Sequence, residues 1–387
     1  MSKDETMLNE LKALAQSRVT RRSVLAGAGA VGAGSLLAAC GGGGGAGDDA
    51  VRWGNWTLYL DYDSDAKVYP TLEKFTEQTG VEVKYLEDYN DNDEFYGKVQ
   101  GQLKLGEDIG YDLICPTDWM AARYIRLGYA QQLDKANIPN AKNILPALAS
   151  VPYDSDRSYT LTWQGIMGGF TWNKEKIPQG IKTLDDLFAP ANKGKVEVLT
   201  ELRDTVGVIM LAQGVDITKF TSDQYYNALD FLQKKIADGF IRQVKGNDYK
   251  EDLISGDAVA VIGWSGDAFQ LSAENDGKFE FAIPESGGTI SADNFVVPST
   301  SEKKADVEKL INFYYEPEIA AEVAAYVNYI TPVQGAQQAM EKIAPELVDN
   351  QLIFPTAETQ KLLHVFRNLT PAEETEFTDA FQKAAGN

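Results

Sequence analysis

From residue 51 onward, short runs of apolar residues alternate with longer stretches in which apolar residues recur every three or four positions. The first pattern is typical of buried strands and the second of amphipathic helices. In chain order, the elements predicted for the first part of this region are strand 51–53, helix 65–79, strand 81–85, helix 92–105, strand 111–115 and helix 119–127. This alternation predicts a parallel sheet with helices on its faces.

A second series of the same kind starts near Thr160. Its strands are predicted at 169–172, 196–199, 258–264, 279–282 and 294–297. Its helices are predicted at 204–212, 222–239, 249–253 and from 266, followed by 302–315, 318–326, 336–343, 358–363 and 372–384. Two such series predict an α/β fold of two lobes around a cleft. Ligands of open α/β sheets lie beyond the carboxyl ends of the strands, which directs attention to those ends.

The N-terminal residues follow a different pattern. Arg21 and Arg22 precede a Gly/Ala-rich apolar run that ends in Leu-Ala-Ala-Cys at Cys40. Paired arginines before such a run resemble a twin-arginine export signal, and the tetrapeptide resembles a bacterial lipobox. Residues 1–39 are therefore predicted to be a twin-arginine lipoprotein signal peptide, and 40–50 a lipidated cysteine with a Gly-rich tether. The alternative is an ordinary signal peptide in which Cys40 is incidental.

Composition narrows the classes of function. The chain has 57 acidic and 36 basic residues, a formal charge of −21, which argues against a nucleic-acid partner. One histidine, His364, and two cysteines disfavour a His-rich metal site, a Ser-His-Asp triad and a four-cysteine zinc site. No cofactor and no metal is expected. Cys115 lies in an apolar run and is predicted to be a buried, inert thiol.

Acidic and aromatic residues recur just beyond the predicted strands. The candidate ligand-binding residues are Trp56, Tyr59, Thr117, Trp119, Glu201, Asp204, Trp264, Asp267, Asp293 and Tyr329. Carboxylates pair with ammonium groups, and aromatic faces attract cations and bury methylenes. This combination indicates a site for an organic cation such as a polyamine. Each residue alone has a simpler explanation, such as packing for a Trp or a helix N-terminus for Asp118 and Asp267.

Several short motifs in a fixed order resemble one family. They are NWTLY at 55–59, YDLICPTD at 111–118, LTELRD at 199–204, IGWSGD at 262–267, ADN at 292–294, LINFY at 310–314 and YITP at 329–332. Together they resemble the periplasmic spermidine/putrescine-binding proteins of ABC transporters. The resemblance implies a two-lobed type II periplasmic-binding-protein fold, with a hinge and a ligand cleft between the lobes.

The same resemblance implies how the chain divides between the lobes. Lobe 1 would comprise residues 51–164 plus 291–331, and lobe 2 would comprise residues 165–290 plus 332–387. The chain would cross the hinge near 162–165, near 286–293 and after Tyr329.

The resemblance also implies roles for the candidate residues. Trp56 and Tyr59 would form an aromatic wall, Thr117 would contact an amine, and Trp119 matches an aromatic position. Trp264 and Tyr329 would sandwich the methylenes of the ligand. Glu201 and Asp204 would meet one ammonium group, Asp293 would be the central acid, and Asp267 matches an acid of the putrescine-preferring branch.

Three departures leave the length of the ligand open. Ser291 stands where spermidine-preferring members have an aromatic residue, and Leu58 replaces an acid of the first motif. A polar residue expected near the last loop falls at Phe366 or Arg367, and an arginine facing the cleft would disfavour a polyamine. The sequence therefore implies the ligand class without choosing among putrescine, spermidine and spermine.

The predicted function is that of an exported, lipid-anchored substrate-binding protein of an ABC importer, not an enzyme. Its partners would be a polyamine, the permease and the membrane, with no nucleic acid, and the protein would be a monomer outside the cytoplasmic membrane. A sugar, an opine or a ferric ion held by 225–226 or 314–315 are alternatives on the same fold. A surface glycosidase using Glu201 and Asp204 is disfavoured, because residues three apart share one side of a helical turn.

Overall fold

The computed structural model of the chain describes residues 49–386. The strands of these residues are β1 (Val51–Trp56), β2 (Val83–Tyr89), β3 (Leu113–Ile114), β4 (Thr160–Asn173), β5 (Val196–Leu199), β6 (Ile241–Lys245), β7 (Ala260–Trp264), β8 (Phe279–Ala282), β9 (Gly288–Val296) and β10 (Leu363–His364). The predicted signal peptide, Cys40 and most of the predicted tether lie outside the described residues.

The α-helices of residues 49–386 separate these strands and dominate the C-terminal part. They are α1 (Pro70–Thr79), α2 (Asn92–Leu105), α3 (Asp118–Arg126), α4 (Leu184–Leu187), α5 (Leu202–Ala212), α6 (Ser222–Ala237), α7 (Tyr249–Ser255), α8 (Ser265–Glu274), α9 (Lys304–Tyr314), α10 (Pro317–Val327), α11 (Ala336–Ile343), α12 (Ala357–Gln360) and α13 (Pro371–Ala385). None of them combines the length and apolar character that a bilayer crossing requires.

The strands form one hydrogen-bonded network with two parallel regions. Its order is β2-β1-β3-β9-β4-β7-β5-β6, with β8 also paired to β4 and β10 paired to β9. The pairs β1–β2 and β1–β3 are parallel at one end, and β5–β6 and β5–β7 are parallel at the other. The antiparallel strands β4 and β9 lie between them, paired from Thr160↔Val296 to Gly168↔Thr289. These two strands therefore connect the two halves of the molecule.

Two separate hydrophobic cores correspond to the two lobes. The first centres on Trp53, whose ring lies 5.1 to 5.8 Å from the rings of Tyr85, Trp163, Phe295 and Tyr314. The second includes Phe170, Ile262 and Phe377. Strand β4 contributes to both cores: Ile166 packs in the first core and Phe170 packs in the second. The change from one core to the other within a single strand marks the crossing between the lobes.

The crossing is irregular and tightly packed. The pairing of β4 with β9 shifts register between Thr162 and Gln164. Gly165 exchanges backbone hydrogen bonds with Ile330, which adds a third segment at the same place. These positions overlap the crossings predicted from the sequence near 162–165, near 286–293 and after Tyr329.

Some boundaries differ from the sequence-based predictions. The helix predicted from residue 65 begins at Pro70, because Asp63 and Val68 form a bridge and Tyr69, which precedes the proline, is extended. Strand β6 was not predicted, since Arg242, Gln243 and Lys245 make most of it polar.

The C-terminal region contains two further differences. The helix predicted over 358–363 ends at Gln360, because Leu363 and His364 pair with the start of β9. Residues 332–387 were assigned to lobe 2, but Val333 and Met340 pack in the first core. Only the part of this segment from Phe366 onward contributes to the second core.

Gly168 provides a test of the packing at the crossing. A Cβ atom at this position would collide with the Thr289 hydroxyl and lie 3.0 Å from a carboxylate oxygen of Asp204. We expect Gly168→Ala to lower the free energy of unfolding by about 1–3 kcal/mol, as overpacking does. Urea denaturation measures the change. Gly101→Ala, in α2 with no atom within 4 Å of the added carbon, should be neutral or stabilising. Equal urea midpoints for the Gly168 variant and the parent would contradict this packing.

Candidate functional site

A cleft of about 500 Å³, including its part open to solvent, lies between the lobes. Nine of the ten candidate ligand-binding residues line it: Trp56, Tyr59, Thr117, Glu201, Asp204, Trp264, Asp267, Asp293 and Tyr329. The exception is Trp119. The structure thus gathers residues that are up to 273 positions apart, Trp56 and Tyr329, around one cavity.

The ends of the strands bring these side chains together. Trp56 is the last residue of β1, and Trp264 is the last residue of β7. Thr117 follows β3 and precedes α3, and Glu201 is the N-cap of α5 directly after β5. The carboxyl ends of parallel strands meet at one edge of each lobe, and these two edges face each other across the cleft.

Two aromatic pairs form part of the cleft. The rings of Trp56 and Trp264 lie 6.2 Å apart edge to face, and those of Tyr59 and Tyr329 lie 4.9 Å apart at 90°. The Trp56 indole N–H donates to the Cys115 carbonyl at 2.9 Å, and the Trp264 indole donates to Asp204 at 2.8 Å. These hydrogen bonds fix the two indoles, so their faces are held in place before a ligand arrives.

Asp293 is the most completely buried acid of the cleft, with 1% of its surface exposed. The Thr117 hydroxyl donates to its carboxylate at 2.6 Å, and Asn92 in turn donates to Thr117 at 2.9 Å. Burial raises the pKa of Asp293 to about 8, and the nearby charges of Asp118 and Asp204 add to the rise. Within residues 49–386, no Lys or Arg forms an ion pair with it.

Asp204 has a similar environment on the other lobe. It is 4% exposed and accepts hydrogen bonds from the Thr289 hydroxyl and the Trp264 indole, both of them neutral donors. Burial raises its pKa although both hydrogen bonds favour the ionised form. In the described part of the chain it forms no ion pair either, although the nearby charge of Arg203 opposes part of the rise in its pKa.

The other three acids of the cleft are engaged by a basic side chain or by the N-terminus of a helix. Burial raises the pKa of Glu201 to about 7, and Arg203, at 3.3 Å, opposes that rise. Asp91 caps α2 by accepting from two backbone N–H groups and also accepts from the Thr200 hydroxyl at 2.7 Å. Burial raises its pKa. Asp267 forms an ion pair with Lys250 at 3.2 Å.

Trp119 lies behind the acids and does not line the cleft. Its indole N–H donates to Glu201 at 2.9 Å, and the guanidinium groups of Arg203 and Arg123 lie 3.9 and 5.0 Å from its ring. Direct contact between Trp119 and a ligand, as the resemblance implies, therefore stays a prediction. In the structure this residue holds the carboxylate of Glu201.

The lobes touch on both sides of the cleft. On one side Asn247 donates to the Thr57 hydroxyl and the Thr200 hydroxyl donates to Asp91. On the other side the carboxylate of Glu374, 8% exposed, lies 2.8 Å from Arg126 and 3.2 Å from Arg123. Because these contacts join residues of different lobes, the structure is a closed arrangement of the two lobes.

Six further residues line the cleft that the sequence did not single out for this role: Thr57, Asp91, Asn92, Ile166, Asn247 and Ser291. Asp91 follows β2, so the strand-end rule could have found it. Asn247 follows β6, which was not predicted. The N-cap of α2 is Asp91, and the side-chain amide of Asn92, the first residue of this helix, donates to Thr117.

The last loop holds no cleft residue. Arg367 donates to the Phe220 carbonyl and pairs with Glu373 at 2.7 Å, and Phe366 packs in the second core. The arginine that would have disfavoured a cation is thus held elsewhere.

The tyrosine pairs proposed for a ferric ion do not face the cleft. Tyr225 donates to the Phe377 carbonyl, and Tyr315 donates to the Thr162 carbonyl. Tyr226 and Tyr314 interact with Glu376 and Thr71. Among residues 49–386 no group of three or more His, Cys, Asp and Glu side chains is arranged to hold a metal ion.

Comparisons with known proteins identify the family of this chain. The sequence model of the bacterial extracellular solute-binding proteins matches residues 71–354. The putrescine-binding periplasmic protein PotF of Escherichia coli is 26% identical over 369 residues, covering 91% of this chain and 95% of its own. The putrescine-binding periplasmic protein SpuD of Pseudomonas aeruginosa is 27% identical, covering 85% and 90%.

A solved structure confirms the predicted fold. The spermidine/putrescine ABC transporter substrate-binding protein PotD from Streptococcus pneumoniae superimposes with a TM-score of 0.70. The two are 23% identical, and the match covers 87% of this chain and 98% of PotD. The predicted two-lobed periplasmic-binding-protein fold is thus confirmed.

The raised pKa values predict how stability depends on pH. Between the ordinary values of 3.8 and 4.5 and the raised values of about 8 and 7, the folded protein retains protons on Asp293 and Glu201 that the unfolded chain releases. The free energy of unfolding of the ligand-free protein should therefore fall as pH rises through this window, by about 1.4 kcal/mol per pH unit for each retained proton. Thermal melts from pH 5 to 8 measure the fall.

Asp293→Asn should remove part of this pH dependence, because the amide does not titrate. Asp230→Asn, on the exposed face of α6, is the matched control and should leave it intact. A slope identical in the Asp293 variant and the parent would contradict the assignment of the retained proton.

Proposed function

Because this chain belongs to the bacterial extracellular solute-binding proteins, we propose that the solute held in its cleft is a polyamine such as putrescine or spermidine. The observation that carries the proposal is the pair of buried acids, Asp293 and Asp204, that face the cleft without a protein cation among the described residues. Buried charges in proteins are normally paired, and an ammonium group is the partner that would pair these two.

The remaining lining fits the rest of such a ligand. A polyamine consists of ammonium groups joined by methylene runs, and the rings of Trp56, Trp264, Tyr59 and Tyr329 offer apolar faces to the methylenes. Each buried methylene contributes about 0.8 kcal/mol, and each cation over a ring about 0.5–2 kcal/mol. The chain's charge of −21 would also attract a polycation before it reaches the cleft.

The relatives support the same ligand class. PotF and SpuD are both named as putrescine-binding proteins, and each matches along more than four fifths of this chain. We propose that the polyamine draws the two lobes together, and that the closed form is recognised by the permease of an ABC importer. In this account the protein is a monomer that carries its solute and catalyses no reaction.

The alternatives fit the cleft less well. A neutral sugar brings no charge to pair with Asp293 and Asp204, so its binding would gain nothing from ionising these two acids. A ferric ion would need converging phenolates, and the tyrosine pairs considered for it are hydrogen-bonded elsewhere. A glycosidase would need Glu201 as one member of an acid pair, but this carboxylate is held by Trp119 and Arg203.

Calorimetry with putrescine, spermidine and spermine tests the ligand class. We expect saturable one-to-one binding of at least one amine to the parent protein, and none of glucose. Asp293→Asn should weaken that binding about 100-fold or more, because it removes a buried charge from an ion pair. Asp230→Asn, the same change on the outer face of α6, should have no effect. Absence of heat with every amine, on folded and ligand-free protein, would refute the proposal.

We also propose that the protein is exported and tethered to the outer face of the cytoplasmic membrane by a lipid on Cys40. The support is the sequence alone: the paired arginines, the Leu-Ala-Ala-Cys segment and the glycines that follow it. A cysteine bearing two acyl chains is sufficient for stable anchoring. About ten residues from Cys40 to β1 would then separate the folded lobes from the bilayer.

Metabolic labelling with a radioactive fatty acid tests the anchor. We expect the full chain, expressed in a bacterium, to incorporate label and to fractionate with membranes. Cys40→Ser should abolish both the label and the fractionation, whereas Cys115→Ser should retain them, because Cys115 is buried in the first core. A labelled Cys40→Ser variant, or an unlabelled parent that is exported, would overturn the proposed anchor.

A further inference from the structure

Lys250 introduces a positive charge into the acidic surroundings of the cleft. It is the second residue of α7, and its side chain is only 10% exposed. Its ammonium group lies 3.2 Å from a carboxylate oxygen of Asp267, whose side chain is 5% exposed. A lysine is rarely buried to this extent unless it is paired, so this contact is a built part of the protein.

The carboxylate of Asp267 is fully engaged by the protein itself. Besides Lys250, the Tyr249 hydroxyl donates to it at 2.9 Å and the Tyr329 hydroxyl donates to it at 3.0 Å. Three donors, one of them charged, satisfy both oxygens and neutralise the charge. An ammonium group of a ligand would have to displace the Lys250 ammonium to pair with this acid.

Asp293 and Asp204 differ from Asp267 in this respect. Their donors are the hydroxyls of Thr117 and Thr289 and the indole of Trp264, which are all neutral. Glu201 resembles Asp267, since Arg203 lies 3.3 Å from its carboxylate. The distribution of counter-charge within the cleft is therefore uneven: basic side chains compensate Asp267 and Glu201, Asp91 is bound at the N-terminus of α2, and two buried acids are left for the ligand.

We propose that Lys250 is a specificity-determining residue, whose ammonium group occupies the position at Asp267 and limits the cleft to ligands with two ammonium groups. This inference rests on the proposed function and specifies the ligand within it. The two ammonium groups of a diamine pair with Asp293 and Asp204. The third ammonium group of spermidine meets the like charge of Lys250, whose repulsion in a buried site is poorly screened.

Asp91, the fifth acid of the cleft, is already engaged by protein donors. Two backbone N–H groups at the start of α2 and the Thr200 hydroxyl donate to its carboxylate, so it is not an open partner for a third ammonium group. The cleft thus provides fewer open carboxylates than its count of acidic residues suggests.

Competition calorimetry on the full chain tests the inference. The parent protein should bind putrescine about tenfold or more tightly than spermidine, which corresponds to about 1.4 kcal/mol. Lys250→Met frees the carboxylate of Asp267 for a third ammonium group, so the spermidine-to-putrescine affinity ratio should rise about tenfold or more. Lys245→Met is the matched control, because the acid that Lys245 pairs with at 2.6 Å, Asp252, does not line the cleft, whereas Asp267 does. It should keep the ratio of the parent.

The outcomes separate this inference from the proposed function. If the parent binds spermidine as tightly as putrescine or more tightly, Lys250 does not exclude a third ammonium group, although the polyamine proposal stands. A folded Lys250→Met variant with the same spermidine-to-putrescine affinity ratio as the parent would also refute the role of Lys250 and leave the polyamine proposal standing. If the parent binds no amine at all, the proposed function fails and this inference fails with it. Circular dichroism shows whether the Lys250→Met variant folds. If it does not, the relative affinity of the parent protein for putrescine and spermidine decides whether the inference holds.

Discussion

The burial of Asp293 and Asp204 without a protein counter-charge is the constraint on which the site depends. Desolvation raises the pKa of both groups, that of Asp293 to about 8, so burial opposes their charged forms. A bound cation would favour the charged forms, and the ion pairs between its ammonium groups and the two carboxylates would contribute its binding energy. The supporting hydrogen bonds, from Asn92 through Thr117 to Asp293 and from Thr289 to Asp204, hold both carboxylates in place for that partner.

The fold links the carboxylates of Asp293 and Asp204 to the closure of the two lobes. Asp293 lies within β9, one of the two strands that connect the lobes, while Asp204 lies on α5 of the second lobe. A ligand that pairs with both acids therefore bridges the crossing. Around the rim, Glu374 meets Arg123 and Arg126, and Asn247 meets Thr57. These polar contacts are available only when the lobes are closed, so closure and ligand binding favour each other.

The sequence predicted the residues that line the cleft better than it predicted some of the elements that position them. Residues at strand ends, such as Trp56 and Glu201, could be recognised because apolar runs mark their strands. Asn247 could not, because β6 is mostly polar and has no such run. Trp119 follows a strand in the same way as its neighbour Thr117, yet its ring packs between two arginines. Lys250 could not be predicted either, since its pairing with Asp267 arises only in the tertiary structure.

Counting the protons released on binding tests the central claim most directly. Calorimetric titration with putrescine at pH 7, in two buffers of different ionisation enthalpy, gives the number of protons exchanged. Because Asp293 has a pKa of about 8 before binding and would pair with the cation in its charged form, the account predicts a net release of about one proton for each ligand bound. Binding without proton release would show that the cation does not pair with these buried acids, and would contradict the account.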